Sequence, residues 1–251
     1  MPLGIMGAMP EEIEALRPHL TGVRVTRRAG REFLHADLWG TPVVVVFSRW
    51  GKVAAASTAT ELIVAHGADR VVLLGIAGSL RSDLRPGDVV VAERLIQHDL
   101  DASPFFAPTE IPLLGVREIP ADPGLGRELS GAAAVFLRED LPRTADPAHA
   151  ARFGLDSRRA VTGVLATGDQ VIFSSAARAR VLERAPAAAC VEMEGGAVAQ
   201  VCFEHEVPFA CVRVISDSAD EDAPEDVAPF FAGLAGVYTV GILKRWLGRE
   251  R

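Results

Sequence analysis

Short continuous runs of Val, Ile and Leu alternate along this chain with segments whose apolar residues recur at helical spacing. "LGIMGAM" opens as a strand, and "PEEIEALRPHL" follows as a helix with Pro10 in its first turn. "REFLHADLWG" and "TPVVVVFSR" flank a Gly-Thr turn and read as a hairpin. "GKVAAASTATELIVAHG" is predicted helical, with Val53, Ala56, Thr60, Ile63 and Val64 along one face and Gly67 as its stop. "RVVLLGIAG" and "GDVVVAERLI" read as further strands. From Asp101 to about Ser157 the periodicity weakens: "DASPFFAPTEIPLLG" reads as loop, and "PGLGRELSGAAAVFL" can carry a helix. Order returns with "RRAVTGVLATGD", "AAACVEM" and "PFACVRVISD" as strands, interleaved with helical "SAARARVLERA" and "EGGAVAQVCFEH". "EDVAPFFAGLAGVYTVGILKRWL" is predicted as one long closing helix, with Val227, Phe230, Leu234, Val237 and Val240 or Gly241 in its stripe. This alternation predicts an α/β fold, a single three-layer domain over residues 1–251 with a central mixed sheet flanked by helices.

Composition narrows the partners. A 251-residue chain that is 49% hydrophobic can bury a substantial core. Its net charge of −7, with no basic tract, argues against nucleic acid and anionic membrane and leaves a small molecule as the expected partner. Cys190, Cys202 and Cys211 follow no disulfide or metal spacing and read as buried thiols in a reducing cytosol; no metal is expected. The N-terminal apolar run stops at Pro10 and Glu11 and lacks a positive n-region, so neither a signal peptide nor a membrane anchor is predicted, and the longest apolar runs are of strand length.

In open α/β sheets, ligands collect at the carboxyl ends of strands. Four such ends here carry unusual polar content: "GAMPEE" at 7–12, "GIAGS" at 75–79, "VEME" at 191–194 and "RVISDS" at 213–218. Each has a plain structural explanation. Glu11 and Glu12 suit a helix N-terminus. "GIAGS", with Ala77 and Gly78, suits a tight turn. Glu192 and Glu194 suit a helix start, and Arg213 can neutralise Asp217 or Glu194. Strand alternation puts Glu192 and Glu194 on one face and Met193 on the other. A buried carboxylate there needs hydrogen-bond donors, and a pair of sugar hydroxyls supplies two. Taken together, Glu12, Glu194, Arg213 and Asp217 fall at strand ends, and carboxylates in different surroundings can hold different protonation states. No Ser or Cys nucleophile with a base is evident.

The series "GIMGAMPEEI", "SRWGKVAAASTAT", "LLGIAGSL", "QHDLDASPF", "ATGDQVI", "VEMEGGAVAQVC" and "VRVISDSAD" resembles the 5′-methylthioadenosine/S-adenosylhomocysteine nucleosidases of the purine nucleoside phosphorylase/uridine phosphorylase superfamily. The resemblance runs from residue 3 to about 240. It implies a partly barrel-like sheet, usually a homodimer, no cofactor, and cleavage of an adenine N-glycosidic bond by water; the cytoplasmic location is expected from the cysteines. Carried onto this chain, it makes Asp217 the acid serving the purine N7, with Ser216 beside it orienting Asp217 or the base. Glu194 becomes the clamp on the ribose hydroxyls, with Met193 packed against the sugar. Glu12 becomes the base on the attacking water, assisted by Arg213, and the backbone of Ile172 reads the adenine edge. Pro104 to Leu114, with Phe105, are expected near the 5′-substituent, contributed by the neighbouring subunit. Two positions depart from the pattern. Val171 stands where an aromatic residue often stacks on adenine, with Phe173 or Phe105 as candidates to replace it. "GIAGS" puts Ile76 where members have Ser, leaving Ser79 as the nearby hydroxyl. The rival readings are a phosphorylase, a futalosine or aminofutalosine hydrolase, and a non-catalytic nucleoside-binding protein on the same fold.

Overall fold

The central strands are apolar on both faces because helices cover both faces. The structure is a computed structural model and describes residues 1–221 and 223–248. The strands are β1 (Leu3–Gly7), β2 (Leu20–Arg28), β3 (Arg31–Leu38), β4 (Thr41–Phe47), β5 (Arg70–Ser79), β6 (Val89–Gln97), β7 (Glu118–Pro120), β8 (Ala160–Thr167), β9 (Ala188–Glu192) and β10 (Phe209–Asp217). The α-helices are α1 (Pro10–Glu14), α2 (Lys52–Val64), α3 (Pro123–Val135), α4 (Leu141–Thr144), α5 (Pro147–Phe153), α6 (Ser175–Arg184), α7 (Gly195–Glu204), α8 (Ala223–Phe230) and α9 (Gly236–Leu247). In the sheet, β10, β6, β8, β9 and β5 pair in that order, and β5 pairs back to β10, closing a five-strand ring with mixed strand directions. An arm of β1, β4, β3 and β2 extends from β5, and β7 adds to β6.

Alternation along β1, β4 and β5 sorts their side chains into two cores. Leu3, Ile5, Val43, Val45, Val72 and Leu74 face one cluster, with Leu129 and Phe136 near α3 and Tyr238 and Ile242 of α9. Met6, Val44, Val46, Val71 and Leu73 face the other, with Ala55, Ala59 and Leu62 of α2 and Val198 and Cys202 of α7. Each such side chain contributes about 1.5–3 kcal/mol when fully buried, so this double coverage stabilises strands of five to ten residues.

The hairpin is β3–β4, as expected. Four features differ from the sequence reading. The buried face of α2 is Ala55, Thr58, Ala59 and Leu62, whereas Val53 and Val64 are 83% and 68% exposed. Small residues let α2 lie close against α7, and Val53 and Val64 are turned outward. The arginine-rich segment 20–28 is a strand, β2, at the exposed edge of the arm, where no apolar alternation is required. Between 101 and 157 lie β7 and short helices as well as the expected α3. The closing helix is interrupted by a wide i→i+5 turn at Phe231–Ala235. Its extra residue rotates the later stripe to Leu234, Tyr238 and Ile242, leaving Val237 and Val240 only partly buried. The stretch Glu225–Leu247 is long and apolar enough, by length and composition alone, to cross a membrane. Uninterrupted apolar runs did not reveal it. Phe230, Leu234, Tyr238, Ile242 and Leu243 along it are buried in the first core.

Candidate active site

The C-terminal tips of β1, β5, β8, β9 and β10 converge. β5 and β9 overlap only at their tips, Gly78 opposite Val191, while Thr167 pairs with Glu192 and Asp217 with Gly78. A cavity of about 300 Å³ opens there, the lower end of the range for small-molecule sites. Four carboxylates line it, from Glu12, Glu192, Glu194 and Asp217, and no basic side chain does so among the described residues. All four residues are buried.

Glycines in β5 make room for the charged groups. A Cβ on Gly75 would collide with Nη1 of Arg213, its partner across the β5–β10 pair. A Cβ on Gly78 would sit 2.9 Å from Oδ1 of Asp217. The pairing of β10 with β5 slips between Ile215 and Asp217, so Ser216 sits in a bulge that re-aims Asp217 into the cavity. Ser216 Oγ donates to Asp217 Oδ2 at 2.6 Å, and the Ala219 N–H donates to Oδ1 at 2.8 Å. Burial nevertheless dominates and raises the Asp217 pKa, against those two donors.

Glu12 belongs to α1, where its Oε2 accepts the Met9 N–H at 3.1 Å. The helix-start explanation therefore holds for one oxygen only. Oε1 is buried with no hydrogen-bond partner among the described residues, as is Nη1 of Arg213, and both lie against Gly75. Burial pushes the Glu12 pKa up to about 7, opposed chiefly by the Arg213 guanidinium.

Glu192 is the hub of the site. It accepts from Thr167 Oγ1, from the N–H groups of Glu194 (2.9 Å) and Gly195 (2.7 Å), and from Nη2 of Arg213. The same Nη2 reaches Glu194 Oε2 at 3.3 Å, and Gly51 N–H donates to Glu194 Oε1 at 3.0 Å. Burial raises the Glu194 pKa, against Arg213 and the Gly51 amide. Burial works against the charge on Arg213 too, but Cys211, Glu192 and Glu194 outweigh it and strengthen its hold on the proton.

A family model described as the phosphorylase superfamily matches residues 2–236. The chain belongs to this superfamily. Its relatives include a 5′-methylthioadenosine/S-adenosylhomocysteine nucleosidase of Colwellia psychrerythraea, 35% identical over 89% of this chain and 86% of the relative. Among solved structures, the nucleosidase of that name from Neisseria meningitidis, in complex with methylthio-immucillin-A, matches with a TM-score of 0.86 and 29% identity over 98% of each chain. A Helicobacter pylori protein described as futalosine hydrolase matches at 0.82 and 30% identity, over 98% of this chain and 97% of its own.

Within this superfamily member, the cavity brings together Glu12, Asp217, Ser216, Met193, Glu194, Ile172, Val171, Ala77 and Gly78, all singled out from the sequence. Two expected residues lie elsewhere. Arg213 is fully buried behind Glu192 and Glu194 rather than on the cavity surface, and it pairs with those two rather than with Asp217. Phe105 is 87% exposed and off the cavity, because its loop projects from this chain. Ser79 is spent on its own turn, donating to the Arg81 carbonyl at 2.7 Å. The strand ends at Glu192 and Glu194 caps α7, so strand alternation stops there and Met193 also lines the cavity. The role of Glu192, and the walls formed by Trp50, Val227 and Phe231, were missed. The paired carboxylates of "VEME" signalled Glu192; no local pattern signalled the other three.

Proposed function

We propose that the protein hydrolyses the N-glycosidic bond of 5′-methylthioadenosine and S-adenosylhomocysteine, releasing adenine and 5-methylthioribose or S-ribosylhomocysteine. The observation that carries this reading is a cavity walled by four carboxylates with no cationic side chain on its surface among the described residues. Asp217, whose hold on its proton is strengthened by burial, gives that proton to N7 as the bond from C1′ to N9 breaks and the electron pair leaves with adenine. Ser216 and the Ala219 amide then hold the carboxylate that forms. Glu194 clamps the ribose hydroxyls and offsets the oxocarbenium charge, with Met193 against the sugar. Val171 and Ile172 border the base, and Ala77 and Gly78 form the floor. Glu12 takes the proton of the attacking water; at about 7 its pKa lies where a general base works near neutrality. Arg213 acts from behind, fixing Glu192 and Glu194. No cofactor enters the scheme.

A phosphorolytic reading fares worse, because a phosphate dianion would meet carboxylates without a basic partner on the cavity surface among the described residues. The test is turnover of 5′-methylthioadenosine in phosphate-free buffer, with free 5-methylthioribose as co-product. The Glu12→Gln variant is expected to lose about a hundredfold in kcat. Strict phosphate dependence with a sugar 1-phosphate product would reject the hydrolase. The futalosine hydrolase likeness favours a second reading, with a different nucleoside in the same site. Parallel turnover of aminofutalosine, S-adenosylhomocysteine and 5′-methylthioadenosine decides between them.

The finer features of the reading are a single folding unit, a homodimer, and action in cytoplasmic methionine salvage. The ten strands among the described residues share one sheet, and Cys190, Cys202 and Cys211 are free and buried, which suits a reducing compartment. Val53 and Val64 on the outward face of α2, with exposed Trp50, Phe105 and Leu113, are apolar surface that a second copy would cover, bringing its 104–114 loop towards the 5′ end of the site. Sedimentation at twice the 26.7 kDa chain mass is expected, and a monomer at micromolar concentration would reject the dimer.

A further inference from the structure

Two segments that border the cavity from different sides are tied together outside it. Residues 168–173 follow β8 and carry Val171, Ile172 and Phe173 into the wall. Residues 48–51 precede α2, carrying Trp50 to the wall and the Gly51 N–H to Glu194. The Lys52 N–H, at the start of α2, donates to Asp169 Oδ1 at 2.8 Å. Asp99, in the loop after β6, accepts Lys52 Nζ on Oδ1 at 2.7 Å and the Asp169 N–H on Oδ2 at 2.8 Å. Lys52, Asp99 and Asp169 thus close a ring, and none of the three lines the cavity.

This ring is not an ordinary surface pair. The Lys52 and Asp99 side chains are only 18% and 21% exposed, so solvent screens them less than a free surface ion pair. Burial works against the Asp99 charge, yet the Lys52 ammonium and the Asp169 amide outweigh it and hold its pKa below the usual carboxylate range. The backbone is adapted to the contact as well. Gly51 has φ +87°, a left-handed conformation that side chains disfavour, and a Cβ there would lie 2.9 Å from Asp169 Oδ1.

We infer that Asp99 is a positioning residue for the reaction: with Lys52 and Asp169 it forms a clasp that sets the spacing between the base-side wall and the Gly51 amide that holds Glu194. The inference rests on the reading of Glu194 as the sugar clamp. When the clasp opens, segments 168–173 and 48–51 move independently, and one nucleoside no longer meets both in register. Small misplacements of binding groups are costly even when the chemistry is remote. The clasp also reaches the sugar carboxylate electrically. Glu194 is faced by Arg213, Glu192, Glu12 and the amides of Gly51 and Met193, and the Gly51 amide is one of the donors favouring its ionised form. Losing that donor raises the Glu194 pKa, so the rising limb of kcat/KM against pH shifts to higher pH.

The experiment compares the full-length wild type with Asp99→Asn, Lys52→Met and Lys52→Arg on 5′-methylthioadenosine, recording kcat, KM, the pH profile and thermal melting. Asp99→Asn and Lys52→Met are expected to raise KM about tenfold, with kcat within about threefold and the rising limb displaced upward. Lys52→Arg, which keeps a cationic donor, is expected to recover most of the affinity. Lowered melting temperature with unchanged KM and pH profile, in a wild type that releases adenine, overturns the clasp and leaves the nucleosidase reading standing. A wild type that binds the nucleoside and releases no adenine overturns that reading, and the clasp with it. Lys52→Met carries the same test without altering Asp99, should Asp99→Asn fail to fold.

Discussion

Asp217→Asn is expected to lower kcat for adenine release about a thousandfold while leaving KM within about threefold, because the substitution removes a proton donor and little else. The site can accept the amide. Its oxygen can take the Ala219 N–H that Oδ1 accepts at 2.8 Å, and the Ser216 hydroxyl, now 2.6 Å from Oδ2, can reverse its role and accept from the amide nitrogen. The nitrogen retains a second N–H for the purine, so the base still docks. What is lost is transfer of the proton. Adenine then departs as an anion, and that cost falls on the transition state, which is why kcat carries it. The pH profile gives an independent check. Wild-type activity should rise as Glu12 and Glu194 ionise, around pH 7, and fall where Asp217 loses the proton that burial helps it keep. The variant should retain the first limb and lose the second. An Asp217→Asn enzyme within tenfold of wild type would remove Asp217 from the chemistry.

The fold was legible wherever a strand is covered on both sides. β1, β4, β5 and β10 are continuous apolar runs because neighbouring residues enter opposite cores. The misreadings have a common cause in contacts made far along the chain. The helical period of α2 was right, but the buried side is set by α7, whose approach selects Ala55, Ala59 and Leu62 over the larger outward residues. β2 carries arginines because an edge strand needs no second core. In the site, the carboxylates were visible as polar residues ending apolar strands. Their division of labour was not, since it depends on which side chain the buried guanidinium of Arg213 reaches. It reaches Glu192 and Glu194, through one nitrogen. The glycines of "GIAGS" looked like a turn; Gly75 and Gly78 instead clear space for Arg213 and Asp217, a demand that appears only once β5 and β10 are paired.

The second large effect concerns that guanidinium. Arg213→Met is expected to destabilise the folded protein by about 3–5 kcal/mol near pH 8, the range for a buried charge cluster that loses one sign. Arg213 is fully buried, with Glu192 and Glu194 as its partners and Glu12 close enough to be held down by its charge. Without it, three acidic side chains share a low-dielectric site with no counter-ion among the described residues. The pH dependence of the loss follows from linkage. Glu12 and Glu194 already have raised pKa values in the folded protein, so above about pH 4.5 the folded state binds more protons than the unfolded chain, and stability falls as pH rises towards 7. Removing the guanidinium raises both further, which steepens the fall and extends it to higher pH. The difference between variant and wild type should therefore be smaller at pH 5 than at pH 8. Urea unfolding at the two pH values, with Arg213→Lys as a variant that keeps a cation, measures it. An equal loss at both pH values would mean that packing around the long side chain, rather than its charge, is what the site requires.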